Sequence, residues 1–340
     1  MDRPGPESSH GPRKRTREAV SSDPGNTRCG AGCILACVFS GLSAFPLTPF
    51  TGAGPDRGGV PDLDAYARLI NHLVRSGVDT IGALGSTGGY AYLNRAQRRS
   101  LARTASVAAG AKPVIVGVGA LTTRDMLGHV ADAEDAGAAG VLVPALGYQP
   151  LRAAEVVALF EQVTSETDLP VVVYDNPGTT GFTFTREVLT EIAAMPKVVS
   201  VKIPPVSAEV QQACAQVTDL RDAVSRYVAL GISGDRAGAC GLLAGCDTWY
   251  SVLAGVFPRT CAAITRAAQA GDGEQALALS AELDPIWDLY DRFGSYRTVS
   301  AIADEIGLVR PESLHRPVLP LAGDEREAVR AALQAVGPRD

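Results

Sequence analysis

The sequence predicts an α/β protein, a (β/α)8 TIM barrel with a C-terminal helical appendage. From residue 41 onward, strand-like and helix-like segments alternate with a period of about thirty residues. The strand-like segments are short, β-branched and apolar on both faces, which suits a parallel sheet that helices cover on both sides. Eight such units fit within about 215 residues, which favours a closed barrel over an open doubly wound sheet.

The predicted strands are apolar runs bounded by glycine, proline or polar residues. They are residues 41–50, 79–84, 113–119, 140–144, 170–174, 198–202, 227–231 and 241–245. Helices are predicted between them over 62–76, 95–109, 122–136, 152–166 and 185–194. The first helix is the clearest, because Asp62 can cap its N-terminus and Gly77 follows its end. No Gly-x-Gly-x-x-Gly pattern follows the first strand, which argues against a dinucleotide-binding sheet.

The chain divides into three predicted regions. Residues 1–40 are an N-terminal extension that is rich in Pro, Gly, Ser and charge, and we expect it to be disordered or irregular. Residues 41–255 form the barrel, and residues 256–340 form the C-terminal helical region. The helices of that region are predicted over 260–270, 274–291, 296–307 and 324–336. A secretory signal is the alternative for the extension, but the apolar stretch before Cys37 is short for one.

Composition narrows the function classes. The formal net charge is −6, so nucleic acid is not an expected partner. No apolar run reaches the ~18 residues of a membrane span. Cys29, Cys33 and Cys37 have no fourth ligand nearby, so no metal is expected, and the scattered cysteines fit a reducing cytoplasm best. No histidine falls at a predicted strand end, which argues against histidine-dependent metal or triad chemistry.

Lys202 is the strongest candidate for a reactive residue. The chain has 27 arginines but only four lysines, and only Lys202 follows a buried strand at the end where barrel enzymes place their active sites. Unlike arginine, a lysine can lose its proton near neutral pH when apolar surroundings lower its pKa. A neutral amine can attack a ketone and form a Schiff base. A structural lysine paired with a barrel carboxylate is the alternative.

Two further strand ends carry polar groups. The sequence Gly-Ser-Thr-Gly-Gly (85–89) follows the second strand and offers two hydroxyls and backbone amides near a helix N-terminus, which favours an anion such as a carboxylate. Tyr174 ends the fifth strand, and its hydroxyl could relay protons. Taken singly, the first could be a plain turn and the second an aromatic residue of the barrel rim.

Together these motifs resemble the dihydrodipicolinate synthase/N-acetylneuraminate lyase family of class I pyruvate-dependent aldolases. The resemblance rests on Gly-Ser-Thr-Gly-Gly, on Tyr-Asp-Asn-Pro-Gly-Thr-Thr-Gly (174–181) and on Val-Lys-Ile-Pro-Pro (201–205). Members of that family carry, in the same order, a Gly-Thr-Thr-Gly-Glu or Gly-Ser-Thr-Gly-Glu loop, a Tyr-Asn-x-Pro motif and a Schiff-base lysine. The interval of 28 residues from Tyr174 to Lys202 also matches. The similarity spans about residues 40–335.

The resemblance implies a lyase or aldolase that acts on pyruvate or another small 2-keto acid together with an aldehyde. Lys202 would carry the imine, and Tyr174 would be the general acid/base. Ser86, Thr87 and Gly88 would hold the keto-acid carboxylate, with a hydroxyl such as that of Thr87 relaying protons to Tyr174. The covalent imine implies that no cofactor is needed.

Other implications concern the rest of the site and the assembly. Gly241, or a neighbour in the predicted eighth strand, would present its backbone near the substrate. A homo-oligomer is expected, a dimer or a homotetramer. Tyr148 could replace the family's relay tyrosine after the fourth strand, or it could be a loop aromatic that fills the barrel mouth.

Departures from the family pattern concern the choice of substrate. Gly89 replaces the usual Glu, and Ile203 and Pro204 replace the common Glu-Ala or Glu-Ser. Thr179 stands where dihydrodipicolinate synthases place an arginine that binds the carboxylate of the second substrate, and its loss removes a bidentate contact. We therefore expect an aldehyde or sugar-like partner, or a hydratase-aldolase substrate, rather than aspartate semialdehyde.

Three functions remain open from the sequence. The first is the aldolase or lyase, and the second is dihydrodipicolinate synthase-like or keto-acid dehydratase activity through the same imine. The third is a barrel that binds a keto acid without catalysis.

Overall fold

The computed structural model describes residues 39–51, 59–311 and 313–337, and it is a closed parallel barrel. Its strands are β1 (Gly41–Ala44), β2 (Thr80–Ala83), β3 (Val114–Gly117), β4 (Gly140–Pro144), β5 (Val171–Tyr174), β6 (Val198–Ile203), β7 (Ala229–Ile232) and β8 (Thr248–Ser251). Each strand pairs with its sequence neighbours, and β1 pairs with β8 to close the ring. The predicted fold class is confirmed.

Helices surround the barrel and continue past it. The outer helices are α1 (Leu63–Arg75), α2 (Arg95–Ala109), α3 (Thr123–Asp135), α4 (Ala153–Glu166), α5 (Pro177–Thr180), α6 (Arg186–Ala193), α7 (Val210–Ala223), α8 (Gly238–Leu243) and α9 (Pro258–Gln269). The C-terminal helices are α10 (Gly273–Ala281), α11 (Asp284–Phe293), α12 (Ser295–Glu305) and α13 (Asp324–Val336). A short antiparallel ribbon joins Phe50–Thr51 to Val60–Pro61.

The predicted eighth strand, residues 241–245, is wrong. Gly241 lies in helix α8, and the eighth strand is Thr248–Ser251. A short buried apolar run does not distinguish a strand from a helix, whereas Thr, Trp and Tyr favour strands. The glycines of α8 let it lie close to the barrel, because a Cβ on Gly238 would come within 2.4 Å of the Trp249 ring.

Two other segments also differ from the prediction. The helix predicted over 274–291 is two helices, α10 and α11, which meet at Glu282 and Leu283 ahead of a proline at the start of α11. Helix α7 was not predicted at all. Helix α9 contacts β1, so it belongs to the outer layer of the barrel, and a division of the chain at residue 255 stays a prediction.

The expectations for most of residues 1–40, including the cysteine cluster, fall on residues 1–38 and lie outside the described residues. In the part of the chain that the structure describes, no helix is both long and apolar enough to cross a membrane.

The register of β5 and β6 positions the two strongest candidates. Tyr174 pairs with Lys202 across these strands, both near the carboxyl end of the barrel. The amide of Asp175 donates to the carbonyl of Lys202 at 3.0 Å, which extends the pairing past the end of β5. Neighbouring strands therefore bring a phenol and an amine to one rim, where a parallel barrel gathers its functional side chains.

Candidate active site

Lys202 lies in β6 with only 4% of its surface exposed. Three aromatic rings surround its amine. The Nζ atom is 4.0 Å from the ring centroid of Phe45, 4.6 Å from that of Tyr174 and 5.7 Å from that of Tyr250. These rings come from the β1, β5 and β8 regions, so the closure of the barrel builds the enclosure.

This environment changes the acid–base properties of both candidates. Burial lowers the pKa of Lys202, and the nearby Tyr174 and Asp235 oppose that only in part. Burial alone would raise the pKa of Tyr174, but the charge of Lys202 and hydrogen bonds from neighbouring side chains outweigh it, so its pKa is lowered. An amine that deprotonates more readily is a better nucleophile, and a more acidic phenol is a better proton donor.

The Tyr174 hydroxyl has side-chain partners that include Asn176, Ser86 and Thr179. Asn176 donates its amide Nδ2–H to the phenolic oxygen at 2.6 Å, and the Ser86 hydroxyl lies 3.2 Å from the same oxygen. Because an amide N–H only donates, the Tyr174 proton is free to point to Ser86. The hydroxyl that contacts Tyr174 is thus that of Ser86 rather than that of Thr87.

The loop after β2 holds Ser86 in place through its backbone. Leu84 has a left-handed φ of 57°, and the loop ends at Gly89 with a φ of 67°. The Thr48 hydroxyl donates to the Gly88 carbonyl at 2.7 Å. A Cβ on Gly117 of β3 would lie 2.0 Å from the Leu84 carbonyl oxygen, so only glycine admits this loop so close to the barrel.

Beneath this loop lies a buried cation that we did not predict. Arg98 of α2 is 5% exposed and donates to the carbonyls of Gly117 and Gly119 at 2.9 Å and 2.8 Å. Its guanidinium lies 5.2 Å from the ring centroid of Tyr90. It therefore connects the end of β3 to the loop. The helix around Arg98 is rich in polar residues, so the sequence did not indicate that this arginine is buried.

The remaining predicted residues fall both inside and outside the cavity. Ser86, Thr87 and Thr179 line it, whereas Gly88 is not part of the lining. Tyr148 is 86% exposed and is also absent from the described cavity wall, so this chain alone does not bring it to Lys202. Gly241 is not at a strand end, and its Cβ position faces the Ile232 side chain at 2.5 Å.

A buried carboxyl near Lys202 was also missed. Asp235 is 4% exposed and accepts hydrogen bonds from the backbone amides of Leu253 at 2.7 Å and Val252 at 3.1 Å. Burial raises the pKa of Asp235, although these bonds and the charge of Lys202 act in the opposite direction. It connects β7 to the turn after β8 and contributes to the cavity wall.

The cavity has a volume of about 800 Å³, which is enough for a small keto acid and a second reactant. Its inner end is formed by Lys202 and Tyr174. Its outer wall includes Asp291, Ser295 and Tyr296 of the C-terminal helices and the segment that joins them. Among the described residues, no group of three or more His, Cys, Asp or Glu side chains is arranged to hold a metal ion.

Comparisons with known proteins agree with this architecture. The sequence pattern of the Dihydrodipicolinate synthetase family matches residues 38–336. A 4-hydroxy-tetrahydrodipicolinate synthase from Sphingopyxis alaskensis is 30% identical over 316 residues, covering 88% of this chain and 99% of that protein.

Two solved structures are similar as well. A dihydrodipicolinate synthase from Agrobacterium tumefaciens has a TM-score of 0.83 at 40% identity, with 89% of this chain and 100% of that chain covered. The enzyme from Thermotoga maritima has a TM-score of 0.78 at 28% identity, with 88% and 99% covered.

Proposed function

This chain belongs to the dihydrodipicolinate synthetase family and is a lyase of the class I aldolase type, and on that basis we propose that Lys202 forms an imine with pyruvate or a similar small 2-keto acid. The observation that carries the proposal is the buried amine of Lys202, enclosed by three aromatic rings and paired in register with Tyr174. An amine with a lowered pKa at the bottom of a cavity suits nucleophilic attack on a ketone.

Each step has a residue to perform it. The neutral amine of Lys202 attacks the keto carbon, and the resulting carbinolamine loses water to form the imine. Tyr174 donates the proton that the leaving hydroxyl needs, and Ser86 is positioned to return one to it. The Tyr174–Ser86 pair accepts a proton from the adjacent carbon to give an enamine, whose carbon attacks the aldehyde, and the same pair protonates the aldehyde oxygen; cleavage is the reverse. The imine nitrogen is the electron sink in both directions.

The loop after β2 is the proposed site for the keto-acid carboxylate. Ser86 and Thr87 line the cavity beside Tyr174, and their hydroxyls and neighbouring amides can donate to an anion. Gly88 is not in the cavity lining, so we assign it a part only through its backbone position in the loop. Thr179 lines the same cavity with a small hydroxyl, and we propose that it borders the space for the second reactant.

The imine supplies the electron sink, so we propose that the reaction needs no further cofactor. The second reactant is an aldehyde. We further propose a homo-oligomer in the cytoplasm.

Borohydride trapping tests the proposal. The protein is incubated with pyruvate, reduced with borohydride and mapped by peptide mass spectrometry, and we expect a stable adduct on Lys202. Lys202→Arg keeps a positive charge but cannot form the imine, so it should lose the adduct. Lys112→Arg is the matched control and should keep the adduct, because Lys112 lies in the loop before β3. The absence of an adduct with pyruvate and with a panel of 2-keto acids would overturn the proposal.

A further inference from the structure

Arg236, an arginine of the outer cavity wall, already forms ion pairs with carboxylates of the protein. Arg236 follows β7 and lines the cavity. Its guanidinium lies 2.6 Å from a carboxylate oxygen of Asp288, 3.4 Å from one of Asp291 and 4.0 Å from one of Asp284, all on helix α11. Three aspartates on successive turns of one helix therefore surround a single guanidinium.

This arrangement removes the cation that a second carboxylate would need. Among the described residues of the cavity wall, Lys202 and Arg236 are the cations. In the proposed reaction the Lys202 nitrogen is bonded to the keto acid, and it is uncharged in the enamine that meets the aldehyde. Arg236 with its three aspartates carries a net charge of −2, and Asp291 itself lines the cavity. An anionic group at this wall would meet like charge instead of a bidentate receptor.

The rest of the outer wall is uncharged and includes aromatic and hydroxyl groups. Tyr92 stacks on Tyr296 with a centroid distance of 6.4 Å and an interplanar angle of 10°. Both residues line the cavity, as does Ser295 at the start of α12. Such a surface can pack against an apolar body and hydrogen-bond a neutral polar group.

We propose that the partner aldehyde carries no anionic group of its own. The cluster of Arg236 with Asp284, Asp288 and Asp291 is the element that excludes carboxylated aldehydes. This inference rests on the imine reaction proposed above and specifies which aldehydes enter its second subsite. It assigns α11, which supplies no group to the imine, the role of determining substrate choice.

The test compares a charged aldehyde with its uncharged analogue. The probes are 4-oxobutanoate and its methyl ester, which share the reacting carbonyl, with pyruvate saturating and kcat/KM measured from product formation by mass spectrometry. We expect the ester to be preferred by roughly tenfold, the factor that two unit charges about 6 Å away produce at the dielectric constant of water. Asp288→Asn combined with Asp291→Asn should move this ratio towards the acid by a similar factor.

The matched control makes the same change of charge at the other end of the barrel. Asp135 and Asp168 lie just before β4 and β5 and pair with Arg99 and Lys197 at 3.3 Å each. Asp135→Asn combined with Asp168→Asn should leave the ratio unchanged, because salt screens charges beyond about 10 Å.

Trapping of pyruvate on Lys202 separates the possible failures. If trapping is intact and the wild-type protein prefers the acid, or the double variant does not move the ratio, the inference is overturned and the imine reaction stands. If no adduct forms, the imine reaction and the inference about the aldehyde are both overturned.

Discussion

Asp175 provides a quantitative test of the environment beside the active site. It follows Tyr174, is 9% exposed, and its Oδ1 atom has no hydrogen-bond partner. Burial raises its pKa from 3.8 to about 6. We expect Asp175→Asn, which keeps the shape and removes the charge, to stabilise the protein at pH 7.5. A difference of about two pH units corresponds to a gain of about 3 kcal/mol in the free energy of unfolding.

The pH dependence of this gain follows from the direction of the shift. The folded protein holds the Asp175 proton more tightly than the unfolded chain, so wild-type stability falls as the pH rises from 3.8 to about 6. Above that range the charged Asp175 lowers the wild-type free energy of unfolding by the full amount. The gain from Asp175→Asn should therefore shrink to about 1 kcal/mol at pH 4.5.

Urea unfolding of both proteins at pH 7.5 and pH 4.5 measures this, with the shift in midpoint multiplied by the common slope. Asp222→Asn is the control, because this exposed carboxylate should change stability by no more than about 0.5 kcal/mol at either pH. A gain of equal size at both pH values would show that the effect is not electrostatic, and a loss at pH 7.5 would refute the reasoning.

Two further predictions concern the site and its support. Tyr174→Phe should lower kcat by about 10²–10⁴, while slow borohydride trapping on Lys202 persists. The control Tyr227→Phe, at an exposed tyrosine, should leave kcat unchanged. An unchanged kcat in Tyr174→Phe would remove Tyr174 from the proton relay. Arg98→Met should cost about 2–4 kcal/mol in urea unfolding, because it leaves two buried carbonyls at the end of β3 unpaired; a cost below about 0.5 kcal/mol would show that water replaces the guanidinium.

Much of the barrel could be predicted because its strands are continuous apolar runs separated by clear helix signals. The first seven predicted strands overlap the observed ones. The eighth could not be identified in this way, since the small apolar residues of α8 resemble a buried strand and the true strand begins only at Thr248. The pattern of apolar residues indicates only that a segment is buried, and both α8 and β8 are largely buried.

The site was harder to predict than the fold. Lys202 and Tyr174 are identifiable because each lies at or next to the carboxyl end of a strand and the chain has few lysines. Phe45 and Tyr250 meet Lys202 only because β1 pairs with β8, and their separation of about two hundred residues carries no local signal. Arg98 and the Arg236 cluster depend on packing between elements, which a pattern of spacing does not encode.

The two ends of the cavity are formed by different parts of the chain. Barrel strands carry the amine and the phenol, whereas Asp291, Ser295 and Tyr296 come from the C-terminal helices and the segment that joins them. Substitutions among residues 284–296 could therefore change which aldehyde is accepted without altering how the keto acid is activated. A barrel of this kind can diversify its reactants by mutation of a short helical segment while its bond-forming chemistry is inherited intact.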